Sequence, residues 1–496
     1  MKEEQRTLTR RDVLQQAGWL MAAAAIPVSP ARAAEQAALE AALATTPVMG
    51  ELSAYMSEAG NRSLPDDVVE KTKQHILDTL AAMISGADLP PAQVALKFAR
   101  AYGGEKVATV VGSTLVCGPL EAALANGMLA HSDETDDSHA PSQSHPGCGI
   151  VSAALAAGEQ FRISGTRFLR AVTLGYDIGP RVAMALGGLP FQMETHRSTH
   201  SISNTFGASA AAGCAAGLSG QQMRWLLDYA AQQASGIAAW QRDTQHIEKA
   251  FVFAGAPARN GVAAAMLIQL GATGVDDILS GADNFLAAFA PKADPAELID
   301  KLGERYEVTR TNIKKWTVGS PIQAPLDALE TLMSEYHFAV DQVQKVVVRV
   351  ATSEAKTVND RNMPDISLQQ MVSVMLVDKT VSFRTAHDRA RMQDPEIVNM
   401  RSKVQLVPDE ELERLYPSRV TIVEVALEDG SHFSQRVDAV RGTAQNPMTN
   451  DEVMAKCRDL MAPILGSAQC TSLIEAVSSI EKRNDIRTLR PLLQRN

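Results

Sequence analysis

The sequence predicts a mainly α-helical protein with a large all-α domain and a smaller α+β domain. Apolar residues recur at helical spacing as far as about residue 310. Aromatic residues make up only 5% of the chain and alanine is abundant, which favours closely packed helices. The run at 343–350 is rich in β-branched residues and indicates a strand. With 496 residues, the chain is long enough for two or three domains.

Residues 1–34 have the pattern of an export signal. Arg10 and Arg11 precede an apolar stretch, and the small-residue sequence at 31–33 resembles a cleavage site. Gly18 and Pro27 break the apolar stretch, which is too short for stable insertion in a membrane. We therefore expect a twin-arginine-type signal and a periplasmic protein. An N-terminal amphipathic helix is the alternative.

Residues 35–310 are predicted to form the all-α domain. Helices are expected at 119–130, 148–160, 164–186, 205–218 and 258–270, and the first of them runs directly into the stretch that begins at residue 131. The segment GASAAAGCAAG at 207–217 has almost no side-chain bulk, so another helix can approach its backbone closely.

Residues 311–445 are predicted to form the α+β domain. The run VQKVVVRV at 343–350 predicts a strand, and 419–427 with 432–437 predict a hairpin around Asp429 and Gly430. Helices are expected at 321–336 and 366–378, and residues 446–496 return to helix.

Charge and cysteine content exclude several classes of function. The net charge of −10 provides no basic surface for nucleic acid or an anionic membrane. The five cysteines form no C-x-x-C pair, so neither structural zinc nor a disulfide framework is indicated. Nucleotide-binding glycine motifs and a G-x-S-x-G sequence are absent from the chain.

The stretch HSDETDDSHAPSQSHPG at 131–147 is the richest in chemistry, with three histidines and four carboxylates. If the preceding helix continued through it, His131, Glu134 and Ser138 would share one face. Pro141 and Pro146 would then leave His145 on a loop. An acid–base site, a solvated loop and a metal site all remain open for this stretch.

A second histidine and two lysines are further candidates. His200 precedes the small-residue helix, where a small ligand would have room. Lys249 precedes a Gly/Pro segment that opens a helix, which is an arrangement suited to anions, and Lys314 lies at the start of the α+β domain. A buried structural histidine and solvated lysines are the alternatives.

Five segments in order resemble the MmgE/PrpD family of 2-methylcitrate dehydratase and cis-aconitate decarboxylase. They are DTLAAMISG (78–86), ANGMLAHSDETDDSH with HPG (125–147), HSISNTFGASAAAG (200–213), GAPARNGVAAAMLIQLG (255–271) and KKWTVGSPIQAPLDAL (314–329). The resemblance implies a homodimer in which the α+β domain is a lid over the helical domain. It also implies dehydration, decarboxylation or epimerisation of small di- and tricarboxylates, without metal or organic cofactor.

The resemblance also implies the residues of a site between the two domains. The matching positions are His131, Glu134, Asp136, Asp137, Ser138, His145, His200, Lys249, Lys314 and Gln370. Three of them depart from the family pattern, which has Asp at 134, Thr at 138 and Tyr at 370. The spacing from Lys249 to Gly255 is one residue longer than in the family pattern.

These observations lead to the expectation of a cofactor-independent lyase that dehydrates a 2-methylcitrate-like acid. His145 and His200 are the predicted acid–base pair, with Glu134 orienting one of them. Ser138, His131 and Gln370 are predicted to bind substrate, and Lys249 and Lys314 to hold its carboxylates. Asp133, Asp136 and Asp137 are expected to support the loop. The alternatives are a decarboxylase, an epimerase, a non-catalytic periplasmic carboxylate-binding protein and a metal-dependent hydrolase.

Overall fold

The structure is a computed structural model that describes residues 45–495, so the predicted export signal at 1–34 lies outside the described residues. Residues 47–496 form one compact unit. It is mainly α-helical, as predicted. The elements before residue 300 are α1 (Pro47–Glu58), α2 (Asp66–Gly86), α3 (Pro90–Tyr102), β1 (Ala108–Thr109), β2 (Val116–Cys117), α4 (Pro119–Ala130), α5 (Pro146–Phe161), α6 (Gly165–Ala185), α7 (Gly188–Thr195), α8 (Thr199–Ala216), α9 (Gly220–Gln233), α10 (Ile247–Ala250), α11 (Ala256–Gln269) and α12 (Phe285–Phe289).

The rest of the described chain combines helices with one four-stranded sheet. Its elements are α13 (Ser320–Tyr336), β3 (Val343–Ala351), α14 (Thr352–Val358), α15 (Leu368–Asp378), α16 (Phe383–His387), α17 (Pro395–Ser402), β4 (Val404–Asp409), α18 (Glu410–Glu413), β5 (Thr421–Leu427), β6 (His432–Val437), α19 (Asn450–Leu465), α20 (Ser467–Ser478) and α21 (Arg490–Leu493).

Helix α8 is the centre of the helical region and packs against α5, α6 and α11. Small residues allow these close approaches. A Cβ atom added at Gly175 would lie 2.8 Å from the carbonyl oxygen of Gly207, and one at Gly261 would lie 2.5 Å from the amide nitrogen of Ser209. The helix begins six residues earlier than predicted because the Ser198 side chain accepts a hydrogen bond from the Ser201 amide and caps it.

The sheet has the strand order β4-β3-β5-β6. Strands β5 and β6 form the predicted antiparallel hairpin, with Gly430 at φ +88° in its turn. Strand β4 pairs parallel to β3 and was not predicted, because its sequence VQLVPD is short and contains a proline that is atypical of strands. The parallel pairing of β3 and β4 therefore depends on contacts between distant parts of the chain, which the local sequence does not indicate.

Two separate apolar cores stabilise the chain. One joins residues between 49 and 313 with residues 448–493, so the C-terminal helices pack on the helical region. The other lies within residues 316–427, where α13 packs on the sheet and on α15. The domain boundaries at 310/311 and 445/446 stay predictions.

The helix predicted at 119–130 is present with those bounds and does not continue to residue 138. Helix α4 ends at Ala130, and His131 follows with φ −113° and ψ 37°. Asp133 accepts a hydrogen bond from the Thr135 amide, and Asp137 accepts one from the Gly147 amide. Short acidic side chains that bind backbone amides compete with the helix. His131, Glu134 and Ser138 therefore share no helical face, and the site is built on an irregular loop.

Helices α10 and α11 are joined through a π-helical turn, Phe251–Gly255. Together they form Ile247–Gln269, the one stretch of the described residues that is long and apolar enough to cross a membrane. The protein buries 56% of its most apolar window, as is usual for a core helix.

Candidate active site

Asp136 joins two of the predicted histidines in the loop that follows α4. Its Oδ2 accepts a hydrogen bond from His131 Nδ1 at 2.9 Å, and its Oδ1 lies 3.3 Å from His145 Nδ1. Burial opposes its ionisation, but the two imidazoles hold the pKa of Asp136 well below its ordinary value. Asp136 is therefore the carboxylate beside His145, and the orienting role expected of Glu134 stays a prediction.

Glu134 instead lies between the two predicted lysines. Lys249 forms an ion pair with Glu134 Oε1. Lys314 Nζ donates to the Glu134 carbonyl oxygen at 2.7 Å and lies 3.6 Å from Oε2. Burial raises the pKa of Glu134, yet Lys249 and Lys314 outweigh it and hold the pKa well below its ordinary value. The carboxylate is therefore ionised, and both cations are held at one wall of the site.

His200 lies in the first turn of α8, against the loop histidines. Its ring centroid is 5.3 Å from that of His145 and 3.9 Å from that of Phe253, on which it stacks. Asn204, one turn along α8, donates to the His145 carbonyl oxygen at 2.9 Å. Burial, followed by the charges of His145 and Lys249, lowers the pKa of His200 well below its ordinary value. Burial also lowers the pKa of His145, although Asp136 opposes this.

His246 is a fourth histidine of the cluster that was not predicted. Its ring centroid lies 5.0 Å from that of His131, and its Nε2 lies 4.0 Å from Glu134 Oε1. Burial, followed by the charge of Lys249, lowers the pKa of His246 well below its ordinary value. His246 precedes α10 with φ +64°, outside the helix, so helical periodicity gave no signal for its entry into the cluster.

Phe253 and Trp240 supply an aromatic wall that the sequence did not indicate. Phe253 contacts His131 at 4.8 Å and Trp240 at 4.8 Å between ring centroids. Lys249 Nζ lies 5.3 Å from the Phe253 ring and 5.5 Å from the Trp240 ring. An aromatic face next to a cation is favourable and limits the access of water.

Ser138 and Gln370 lie outside the cluster of histidines, carboxylates and lysines described above. Ser138 exchanges backbone hydrogen bonds with Asn312 and, with Lys314, lines a cavity of about 240 Å³. Gln370, in the first turn of α15, is fully buried, and its amide atoms have no hydrogen-bond partner among residues 45–495. The predicted substrate-binding roles of both residues stay predictions.

Buried polar contacts of Asp133 and Asp137 support the loop that follows α4. Asp137 binds His75 at 2.8 Å and the Tyr176 hydroxyl at 2.6 Å, and Asp133 lies 3.0 Å from His387. Asp133 and Asp137 thus support the loop as expected, whereas Asp136 faces the histidines.

Helix α19 adds a further support that the sequence did not indicate. Its Lys456 binds Asp78 at 2.6 Å and donates to the Thr135 carbonyl oxygen at 3.0 Å. Thr135 lies between Glu134 and Asp136 in the chain, so this contact reaches the two carboxylates of the site through the backbone.

One set of possible metal ligands lies in the cluster, where atoms of His131, Asp136 and Cys148 fall within 4.8 Å of one another. Burial, with Asp136 and Asp137 adding, raises the pKa of the Cys148 thiol well above its ordinary value. The thiol also donates to the His145 carbonyl oxygen. Because the thiolate is the form that binds metals, we propose no metal here.

Four buried imidazole nitrogens in the site have no hydrogen-bond partner within the part of the chain that the structure describes. They are His131 Nε2, His200 Nδ1, His246 Nε2 and His145 Nδ1, of which the last has Asp136 Oδ1 3.3 Å away as an ion-pair neighbour. Unpaired buried polar atoms are costly, and a bound ligand is one way in which they are satisfied. The arrangement combines buried imidazole rings that can exchange protons with two lysines that can attract carboxylates.

Family models cover most of the chain. Residues 50–298 match the MmgE/PrpD N-terminal domain, and residues 316–482 match the MmgE/PrpD C-terminal domain. The chain belongs to the MmgE/PrpD family.

Curated relatives match along nearly their whole length. The chain is 26% identical over 480 residues to the cis-aconitate decarboxylase-like protein oryM of Aspergillus oryzae, covering 90% of this chain and 97% of that protein. It is 24% identical over 486 residues to cis-aconitate decarboxylase of Aspergillus terreus, covering 90% and 96%. It is 26% identical over 460 residues to cis-aconitate decarboxylase of Homo sapiens, covering 87% and 91%.

Proposed function

We propose that this protein is a lyase that decarboxylates a small polycarboxylate of the cis-aconitate type. The observation that carries the proposal is the cluster of four buried histidines, with ring nitrogens that make no hydrogen bond, beside Lys249 and Lys314. The names of the relatives support decarboxylation better than the dehydration expected from the sequence. Dehydration of a 2-methylcitrate-like acid and epimerisation become the alternatives.

The two lysines bind and orient the substrate. Lys249 and Lys314 are held at Glu134 in the free protein, and substrate carboxylates would compete for the same cations. Cationic groups preorganised in a buried site bind carboxylates and stabilise charge that develops on them.

The reaction requires one bond to break and one proton to be added. In cis-aconitate, the bond between the methylene carbon and its carboxylate breaks and carbon dioxide leaves. The electron pair forms a new double bond to the central carbon, and the former double bond takes a proton at its far carbon. The product is a dicarboxylate with a terminal methylene, and no oxidant or reductant is needed.

His145 is the ring that we assign as proton donor. The adjacent Asp136 carboxylate favours the charged form of its imidazole, and a bound polyanion would add to this effect. His200, against Phe253 and Trp240, stays neutral and accepts or relays a proton. The pair can therefore supply the proton at carbon and recover it from water.

Incubation of the purified protein with cis-aconitate in D₂O tests the proposal. We expect one carbon dioxide per substrate consumed and one deuterium at the newly protonated carbon, followed by gas analysis and NMR. Tricarballylate is the matched control, because it carries the same three carboxylates without the double bond that accepts the electron pair. Alkene formation from 2-methylcitrate without carbon dioxide would support dehydration instead, and binding without turnover would support a carboxylate-binding protein.

We also propose that the protein is exported to the periplasm and acts as a homodimer. The replacement of Arg10 and Arg11 by lysine is expected to retain the protein in the cytoplasm, because the twin-arginine signal is read through its arginine pair. Cell fractionation measures this, with Arg32→Lys, outside the pair, as the control. Unchanged export of the doubly substituted protein would contradict the proposal, and light scattering tests the dimer.

A further inference from the structure

The helical stretch that carries Lys249 contains one turn of unusual geometry. The Ala256 amide donates to the Phe251 carbonyl oxygen, five residues back, which closes a π-turn between α10 and α11. A π-turn inserts one residue into an α-helix and changes the direction in which the following side chains point. Such turns occur frequently at functional sites.

This turn places Phe253 among three of the four histidines. Its ring lies nearly parallel to that of His200, at 12° and 3.9 Å, and to that of His131, at 17° and 4.8 Å. The His145 ring is 5.9 Å away, and Phe253 is fully buried. An aromatic side chain stacked on an imidazole restricts the ring's orientation and excludes water from that face.

The charges around His200 lower its pKa, as its burial does. His145, Lys249 and His131 disfavour a positive charge on His200, and Glu134 is the group that favours it. Water at the ring face would screen these charges and solvate an imidazolium. The aromatic neighbours of His200, Phe253 and Trp240, limit that access.

We propose that Phe253, placed by the π-turn, is a positioning residue that fixes the His200 ring against His145 and excludes water from the face on which it stacks. The inference rests on the proposed decarboxylase function for its effect on turnover. Phe253 acts through the histidines, which are the groups that exchange protons with the substrate.

Phe253→Leu tests this, with Phe206→Leu as the matched control. Phe206 is also fully buried and aromatic, and lies on the same helix as His200, but it packs on Phe285 in the core. We expect Phe253→Leu to lower kcat about tenfold to a hundredfold near pH 6.5, with KM changed about twofold or less. The acid limb of its kcat–pH profile should move to higher pH, and Phe253→Tyr should restore the parent profile. Phe206→Leu should lower thermal stability alone.

A measurement without substrate separates this inference from the proposed function. Imidazole NMR of the full chain, with the His200 signal assigned through His200→Gln, should show a neutral His200 in the parent at pH 6. In Phe253→Leu the same ring should titrate at higher pH, toward its ordinary pKa. An unchanged His200 titration and kcat–pH profile in Phe253→Leu, or the same shifts in Phe206→Leu, would overturn the inference. Absence of turnover in the parent would overturn only the proposed function.

Discussion

His145→Gln and His200→Gln are each expected to lower kcat for cis-aconitate decarboxylation by a factor of about 10² to 10⁴. Both rings lie in the buried cluster, with centroids 5.3 Å apart, and glutamine keeps a polar side chain without a group that titrates near neutral pH. Steady-state kinetics measure the loss. KM should change less than kcat, since Lys249 and Lys314 remain to bind the carboxylates.

His139→Gln is the control for the loss of a buried histidine from the same loop. His139 contacts Ser142 at 2.8 Å and Glu307 at 3.1 Å, outside the cluster. Its replacement should reduce stability and leave kcat per folded molecule near that of the parent. Full activity in His145→Gln or His200→Gln would exclude that residue as a proton carrier.

Lys456→Met is expected to destabilise the protein by about 3–5 kcal/mol, because it leaves the fully buried Asp78 carboxylate without its cation. The Thr135 carbonyl oxygen also loses its donor, so the loop between Glu134 and Asp136 should loosen. Urea unfolding measures the difference in free energy. Turnover of the folded fraction should also fall, since Thr135 is the residue between the two carboxylates.

Two further variants test the origin of this effect. Asp78→Asn combined with Lys456→Met should recover much of the lost stability, because no uncompensated charge remains. Arg458→Met, at an exposed position on the same helix, should change stability by about 0.5 kcal/mol or less. A similar loss in Arg458→Met and Lys456→Met would show that the helix, and not the buried pair, is responsible.

The irregular loop at 131–145 could be predicted from the sequence only in part. Its histidines and carboxylates were recognised as chemistry, but Glu134 was assigned the contact that Asp136 makes. Helical periodicity could not place these carboxylates around the histidines, because α4 ends at Ala130 and the loop that follows is irregular. The loop is also contacted by residues far along the chain, including Lys456, which donates to the Thr135 carbonyl oxygen next to Asp136.

The sequence by itself determined the mainly α-helical fold, the β5–β6 hairpin and the resemblance to the MmgE/PrpD family. These depend on local periodicity, turn residues and motif order, all of which can be read along the chain.

The tertiary structure alone decided the parallel β3–β4 pair, the entry of His246 into the cluster and the contacts of Phe253. Each depends on the packing of segments distant in sequence or on a single π-turn, for which helical periodicity carries no signal. The lowered pKa values of His145 and His200 likewise depend on the tertiary structure, because burial and neighbouring charges cause them.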